Sequence, residues 1–386
     1  MSRFSSDTGN FMRSPVREIF RKVDLNSIYS FAGGYPSADT FPLEDIKELS
    51  ALVIDKYGAS AFQYGATQGV TELRRVLSER YEVPLQRVQI STSSQQGIDV
   101  CTRVLVDPGD VVITSNPTYL GALQSFKAYR AEVVGVDYSV SDYKASYEAA
   151  IKAHRDRVKF IYMIPDFQNP SGETINLEQR EALVSLAEEY DILVVEDCPY
   201  RELRYEGESL PTMYSMNPGR IVHLGSFSKI FAPGFRLGWI FGPEDVLDQI
   251  YVCKQALDLC PPIFDQYLAA EFMASGRLDR NLARSKELYR SKRDLLLSML
   301  SECMPKGVTW THPEGGLFLF LTMPEGFDSV AFYDKALAAG VAYVAGSFFH
   351  VDGSGRNTMR LNFSFMTHER IREGIRLLAS LIKEEI

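Results

Sequence analysis

The chain has 386 residues, 45% hydrophobic and 24% charged, with a formal net charge of −9 and no block of lysines and arginines. This excludes a disordered, collagen-like or disulfide-scaffold chain and argues against nucleic acid as a partner. At this length a single core usually divides, so two domains are expected. The five cysteines form no CxxC pair and the five histidines show no metal spacing, which points to free thiols in a reducing compartment and to no metal site. The N-terminal stretch MSRFSSDTGNFMRSPVREIF has no apolar run of signal-peptide length. No segment approaches about eighteen continuous apolar residues. A cytoplasmic protein with no membrane partner is expected.

In chain order, a strand near Val88–Ile90 precedes Ser91-Thr-Ser-Ser-Gln-Gln96, which opens a helical run over Gly97–Val106. Val111–Thr114, Val133–Val136, Phe160–Ile164, Ile192–Glu196 and Ile221–Leu224 read as buried strands, nearly all apolar, as a sheet covered on both faces requires. Between Phe160–Ile164 and Ile192–Glu196, Asn176 can cap a helix with Gln179 three residues on, and Leu183, Leu186, Ala187 and Tyr190 form its apolar stripe. The pattern is α/β with a mostly parallel sheet. After about residue 278 the texture changes. A charged amphipathic helix covers roughly 281–301, and Phe318–Leu321 and Met359–Phe363 read as strands. A last helix carries Ile371, Ile375, Leu378 and Ile382 on one face. The expected division is a large domain over 45–278 and a smaller α+β domain from 1–44 plus 279–386.

Ligands of open α/β sheets bind beyond the carboxyl ends of the strands. The residues there are polar: Ser93, Ser94 and Gln95; Asn169 in Pro165–Gly172; Asp197 and, three on, Tyr200; Ser226, Ser228 and Lys229. Singly, each has a plainer reading. Asp197 could cap a helix or join a buried ion pair, and Lys229 could lie at the surface. Asn169 before a proline is ordinary turn chemistry. Ser93 and Ser94 could be helix caps. Tyr119 and Tyr200 could be core tyrosines. Their joint order at strand ends argues for one shared crevice.

That order resembles the class I/II aminotransferases, which bind pyridoxal 5'-phosphate on the fold called type I. The matching segments are FAGGYP (31–36), FQYGATQG (62–69), STSSQQG (91–97), NPTY (116–119), PDFQNPSG (165–172), EDCPYREL (196–203), GSFSKIFAPGFRLGW (225–239) and MRLNF (359–363). They span nearly the whole chain. Their clustering is most similar to the branch with 2-aminoadipate and kynurenine aminotransferases. The resemblance implies that Lys229 condenses with the cofactor aldehyde, and a buried amine suits this because it loses its proton more readily. It implies that Asp197 holds the ring nitrogen. Asn169 and Tyr200 would meet the phenolic oxygen and Tyr119 would stack on the ring. The phosphate would lie on the backbone amides of Ser94 and Gln95, the hydroxyls of Ser93, Ser226 and Ser228, and Arg236. Ser93 departs from the family's usual glycine; its side chain would either crowd the phosphate or add a contact. Arg360 would grip the substrate α-carboxylate, with the backbone of Gly33 and Gly34 approaching closely. Tyr64 would reach the partner subunit's phosphate, implying a homodimer with a shared site. Arg17 would meet a side-chain carboxylate or lie on a solvated helix face.

The implied reaction moves the amino group of an L-amino acid, of 2-aminoadipate, glutamate or aromatic type, to a 2-oxo acid such as 2-oxoglutarate. A β-lyase or decarboxylase on the same fold is the alternative. A ligand-sensing regulator would need a winged helix before FAGG, and a nicotinamide dehydrogenase would need a GxGxxG after an early strand, which is absent.

Overall fold

The computed structural model describes residues 3–11, 13, 27–137 and 139–386. The strands are β1 (Tyr29–Ser30), β2 (Val88–Ser91), β3 (Val111–Asn116), β4 (Glu132–Asp137), β5 (Val158–Met163), β6 (Leu193–Asp197), β7 (Ile221–Ser226), β8 (Gly238–Phe241), β9 (Thr309–Trp310), β10 (Phe318–Thr322), β11 (Val341–Ala342), β12 (Val344–Ala345) and β13 (Thr358–Asn362). Seven form the central sheet in the order β2-β8-β7-β6-β5-β3-β4. Neighbours run parallel except at β8, which is antiparallel to both β2 and β7. The fold is α/β with a mostly parallel sheet.

The apolar runs form the sheet because residues on both faces are covered. In β7 every residue is buried, and in β5 all but Lys159. Val133–Val136 departs from the expected buried strand. Only Val136 is buried there, because β4 is the sheet's outer strand with a neighbour on one side alone. The sequence reading also passed over β8. Gly238 lets this strand pack tightly: a Cβ there would lie 2.6 Å from the Gly225 carbonyl and 2.7 Å from the Ser93 carbonyl carbon.

The Asn176–Gln179 capping box forms as expected and starts the helix Leu177–Glu189. The helix after β2 begins at Ser93, four residues before the expected run, and ends at Leu105. The long helix spans Arg277–Cys303 and the last His368–Lys383, with Ile371, Ile375, Leu378 and Ile382 all buried. A four-stranded antiparallel sheet, β12-β13-β10-β9, lies between them in sequence. The N-terminal segment joins this later part of the chain, since β1 pairs with β11 and the Asn362 amide donates to the Phe31 carbonyl at 2.9 Å.

Candidate active site

A cleft of about 540 Å³ opens at the carboxyl ends of the parallel strands. Its walls include Ser93, Ser94, Gln95, Tyr119, Asn169, Asp197, Tyr200, Ser226, Ser228, Lys229, Arg236, Gly34 and Arg360. Thirteen residues expected from the sequence thus meet in one place. Three do not. Gly33 is buried but does not line the cleft. On either side of it, the Ala32 carbonyl accepts from Arg360 and the Gly34 carbonyl from Lys229. Tyr64 lies outside the cleft and is 80% exposed. Arg17 lies outside the described residues.

Lys229 follows β7 and donates to the Gly34 carbonyl at 2.7 Å. Burial, with the charges of Arg360 and Arg236 acting the same way, draws its amine down to about 8. Asp197 ends β6. The Tyr162 hydroxyl donates to its Oδ2 at 2.8 Å, while Oδ1 is buried without a partner among the described residues. Burial raises this carboxyl to about 6, against the opposing pull of Tyr162, His223 and Ser94. Glu196 faces the other side of the sheet, as alternation in a strand requires. It accepts from the Met213 and Tyr214 amides, both at 3.0 Å, and lies 2.8 Å from His223 Nδ1. Buried Cys198 lies close to this pair, but the carboxylate's oxygens are already engaged.

At one end of the cleft, the helix Ser93–Leu105 presents first-turn amides that have no intrahelical acceptor. Ser93 is left-handed, with φ +69°, and Arg236 is left-handed too, at φ +52°. The two are bonded, Arg236 Nη2 donating to Ser93 Oγ at 2.6 Å, and the Ser91 hydroxyl donates to the Ser93 carbonyl at 3.0 Å. The serine at the family's glycine position therefore keeps a glycine-like backbone and holds the guanidinium with its hydroxyl.

At the other end stands Arg360 of β13. Its Nη1 donates to Asn169 Oδ1 at 2.7 Å and its Nη2 to the Ala32 carbonyl at 2.6 Å, leaving a buried Nε without a partner among the described residues. The Phe318 and Phe349 rings lie 4.3 and 5.0 Å from the guanidinium. Tyr200 is buried edge-on to Phe318, and burial pushes its phenol well above the ordinary tyrosine range. Tyr119 donates to Gln95 Oε1 at 3.0 Å. The loops carrying Asn169 and Tyr200 share a clamp: buried Asp166 accepts from Arg180 at 2.8 Å and from Arg201 at 3.1 Å.

Sequence reasoning missed Tyr162, Phe318, Phe349 and Leu120. Tyr162 left a signal, as it brings the one side-chain hydroxyl to an otherwise apolar strand run, and that hydroxyl had to find a partner. The others sat inside apolar runs with nothing to separate wall from core.

The site suits a phosphorylated aldehyde on a protonatable ring. A deprotonatable buried amine, a buried carboxylate oxygen awaiting a donor, and a helix start with an arginine and hydroxyls line one cavity. The comparisons agree. The family model "Aminotransferase class I and II" matches residues 32–378. The chain is 42% identical to aromatic-amino-acid aminotransferase 1 of Thermococcus litoralis, covering 99% of this chain and 94% of the relative. It is 35% identical to 2-aminoadipate transaminase of Thermus thermophilus, covering 98% and 96%. Pyrococcus horikoshii kynurenine aminotransferase, solved in complex with PMP, superposes with a TM-score of 0.94 at 40% identity, covering 100% of this chain and 98% of that one. With its fold, its cleft and these relatives in agreement, the chain belongs to the class I and II aminotransferases and is a pyridoxal-phosphate-dependent transaminase of fold type I.

Proposed function

We propose that the donor is an L-amino acid with an aromatic or other bulky apolar side chain and that 2-oxoglutarate is the acceptor. The observation that carries the reading is Arg360, a buried cation between two phenyl rings, with Leu120 in the same wall and no cation but Lys229 and Arg236 beside it among the described residues of the lining. Arg360 donates to the α-carboxylate, Asn169 stands beside it, and the Gly34 backbone closes on the substrate. Phe318, Phe349 and Leu120 receive the side chain. 2-Oxoglutarate and the glutamate it becomes use the same cleft, and Arg17 is the residue proposed to meet their side-chain carboxylate, as it would that of 2-aminoadipate.

When bound, pyridoxal 5'-phosphate supplies an aldehyde that bonds to amines and a ring that draws electrons from the donor α-carbon. Lys229 would hold it, and its Nζ would take and return the proton at the donor α-carbon. A neutral amine is required for this, and the pKa lowered to about 8 makes the neutral form a substantial minority near neutral pH. Asp197 Oδ1 would accept the ring N–H, with Tyr162 securing the other oxygen. Asn169 and Tyr200 meet the phenolic oxygen, and Tyr119 covers the ring. Ser93, Ser226, Ser228, Arg236 and the amides of Ser94 and Gln95 form the phosphate cup.

Tyr64 extends into a partner's site in a homodimer. In support, it is 80% exposed, and the neighbouring Phe62 is 67% exposed and stacked on Phe264. Residues 45–278 form the large domain, and 1–44 with 279–386 the small one. A cytoplasmic setting is supported by five cysteines without a disulfide. No helix of the described residues is long and apolar enough to cross a membrane.

The test is a donor panel on the purified protein, following the visible band of the bound cofactor. Phenylalanine or tyrosine should bleach the band without releasing ammonia, and 2-oxoglutarate should restore it. Bleaching by acidic donors alone would overturn the aromatic assignment, while release of ammonia and pyruvate would favour a β-lyase.

A further inference from the structure

Behind the turn that opens the cup lies a polar cluster with no part in the chemistry at Lys229. Lys254, on the helix Glu244–Leu257, has a fully buried side chain. Its Nζ donates to both oxygens of Asp258, at 3.1 and 2.9 Å, and to Gln96 Oε1 at 2.9 Å. Gln96 Nε2 donates to Asp258 Oδ2 at 2.6 Å, and Gln96 Oε1 also accepts the Thr92 amide at 2.7 Å. The Thr92 hydroxyl leans on the same carboxylate at 3.4 Å.

The geometry is over-determined. An ammonium can only donate, so Lys254 obliges Gln96 to present its oxygen, and that oxygen is what receives the Thr92 N–H. The amide nitrogen is left facing a carboxylate, which can only accept. Thr92 immediately precedes Ser93, whose left-handed backbone sets the direction of the following amides. A buried lysine is costly unless its charge is matched and its hydrogens are used. Here both conditions are met, on the residues that pin one peptide.

We propose that Lys254, Asp258 and Gln96 are positioning residues for the cofactor phosphate, holding the Thr92–Ser93 turn so that the Ser94 and Gln95 amides and the Ser93-bound Arg236 converge on one anion. This rests on reading Ser93–Gln95 and Arg236 as the phosphate cup. A cluster that only stapled the helix Glu244–Leu257 to the core would affect every ligand alike. A positioning cluster affects the phosphate alone.

The experiment titrates cofactor-stripped protein with pyridoxal 5'-phosphate and, separately, with pyridoxal, which has the same aldehyde and ring but no phosphate. Gln96→Glu sets a carboxylate against Asp258 where an amide donated. It should weaken the phosphorylated ligand roughly 10–100-fold and leave pyridoxal within about twofold, as misdirected donors do. Asp258→Asn, which keeps the shape but removes the charge and one of the two acceptor oxygens, should show the same split. The double change Gln96→Glu/Asp258→Asn restores a donor–acceptor pair between positions 96 and 258 and keeps one negative charge beside Lys254, losing one Lys254 contact, and should recover most of the affinity lost in either single variant. Equal weakening of both ligands, parental affinity in the single variants, or no recovery in the double would each overturn the proposal. If the unaltered protein prefers the phosphorylated ligand no more than pyridoxal, the cup itself is misread, and that result is separate from the other three.

Discussion

At the Arg236 end of the cleft the anion-binding groups are many and mostly short: helix-start amides, serine hydroxyls and one guanidinium already bonded to Ser93. At the Arg360 end one side chain stands nearly alone. Arg360 is 3% exposed, burial draws it down to about 10, and it is held by Asn169 and Ala32, which lie 191 and 328 residues away in sequence. Stability and affinity are shared among many donors at the first end and concentrated in one at the second. Single substitutions should therefore be graded by where they fall.

The largest effect belongs between the two ends. Lys229→Ala should lower the rate of the donor half-reaction by ~10⁴-fold or more, since acid–base catalysis and covalent attachment are lost together. It should also let the cofactor leave on dialysis. Stopped-flow absorbance and a cofactor assay of the dialysate measure the two losses. Retained cofactor with a near-parental rate would move the chemistry elsewhere.

Arg360→Ala sharpens the comparison. A charged hydrogen-bond pair is worth about 1.5–3 kcal/mol, so donor KM should rise roughly 10–100-fold. Cofactor affinity should stay as it was. Steady-state kinetics and a cofactor titration together decide, and an equal fall in cofactor affinity would mean that the two ends are not independent.

The pH dependence of cofactor uptake tests the middle of the site. The protonated amine cannot attack, and Lys229 sheds its proton near pH 8 instead of lysine's ordinary 10.5. Uptake by the stripped protein should therefore speed up about tenfold per pH unit below 8 and level off above it. A rise that continued to 10.5 would place the amine in water. The folded-state pKa is depressed, so the stability this amine contributes above pH 10.5 is lost as the pH falls through about 8.

The smallest effect has opposite signs in two measurements. Ser93→Gly removes a left-handed side chain and should stabilise the cofactor-free fold by at most about 1 kcal/mol, the strain relieved exceeding slightly the entropy lost. It also removes the hydroxyl that holds Arg236, and should weaken the cofactor a few-fold, to about tenfold. Thermal melts and cofactor titration read the two. Unchanged affinity would show that Arg236 is held well enough by its own backbone.

Most of the cleft was legible from local pattern. Polar residues directly after apolar runs pointed to Asn169, Asp197, Ser226, Ser228 and Lys229, because a strand buried on both faces must be apolar and its end is the first place where polar chemistry is affordable. Arg360 and Tyr64 came only from resemblance to known motifs. Gln96, Lys254 and Asp258 were invisible as a group: a glutamine in a helix start and a lysine four residues before an aspartate read as solvated surface. The edge position of β4 was hidden too, since Val133–Val136 is as apolar as its inner neighbours and only the strand order leaves one side open.

Sequence alone determined the succession of strands and helices and the chemical groups waiting at their junctions, because hydrophobic period, capping and turn propensity act over a few residues. Tertiary packing decided what those groups can do. It left Asp197 Oδ1 buried and without a partner among the described residues, drew the Lys229 pKa down, kept Gly33 out of the cleft lining, and closed Lys254 over Gln96. Those properties depend on desolvation and on contacts between residues far apart in the chain, and neither is written in any local stretch of it.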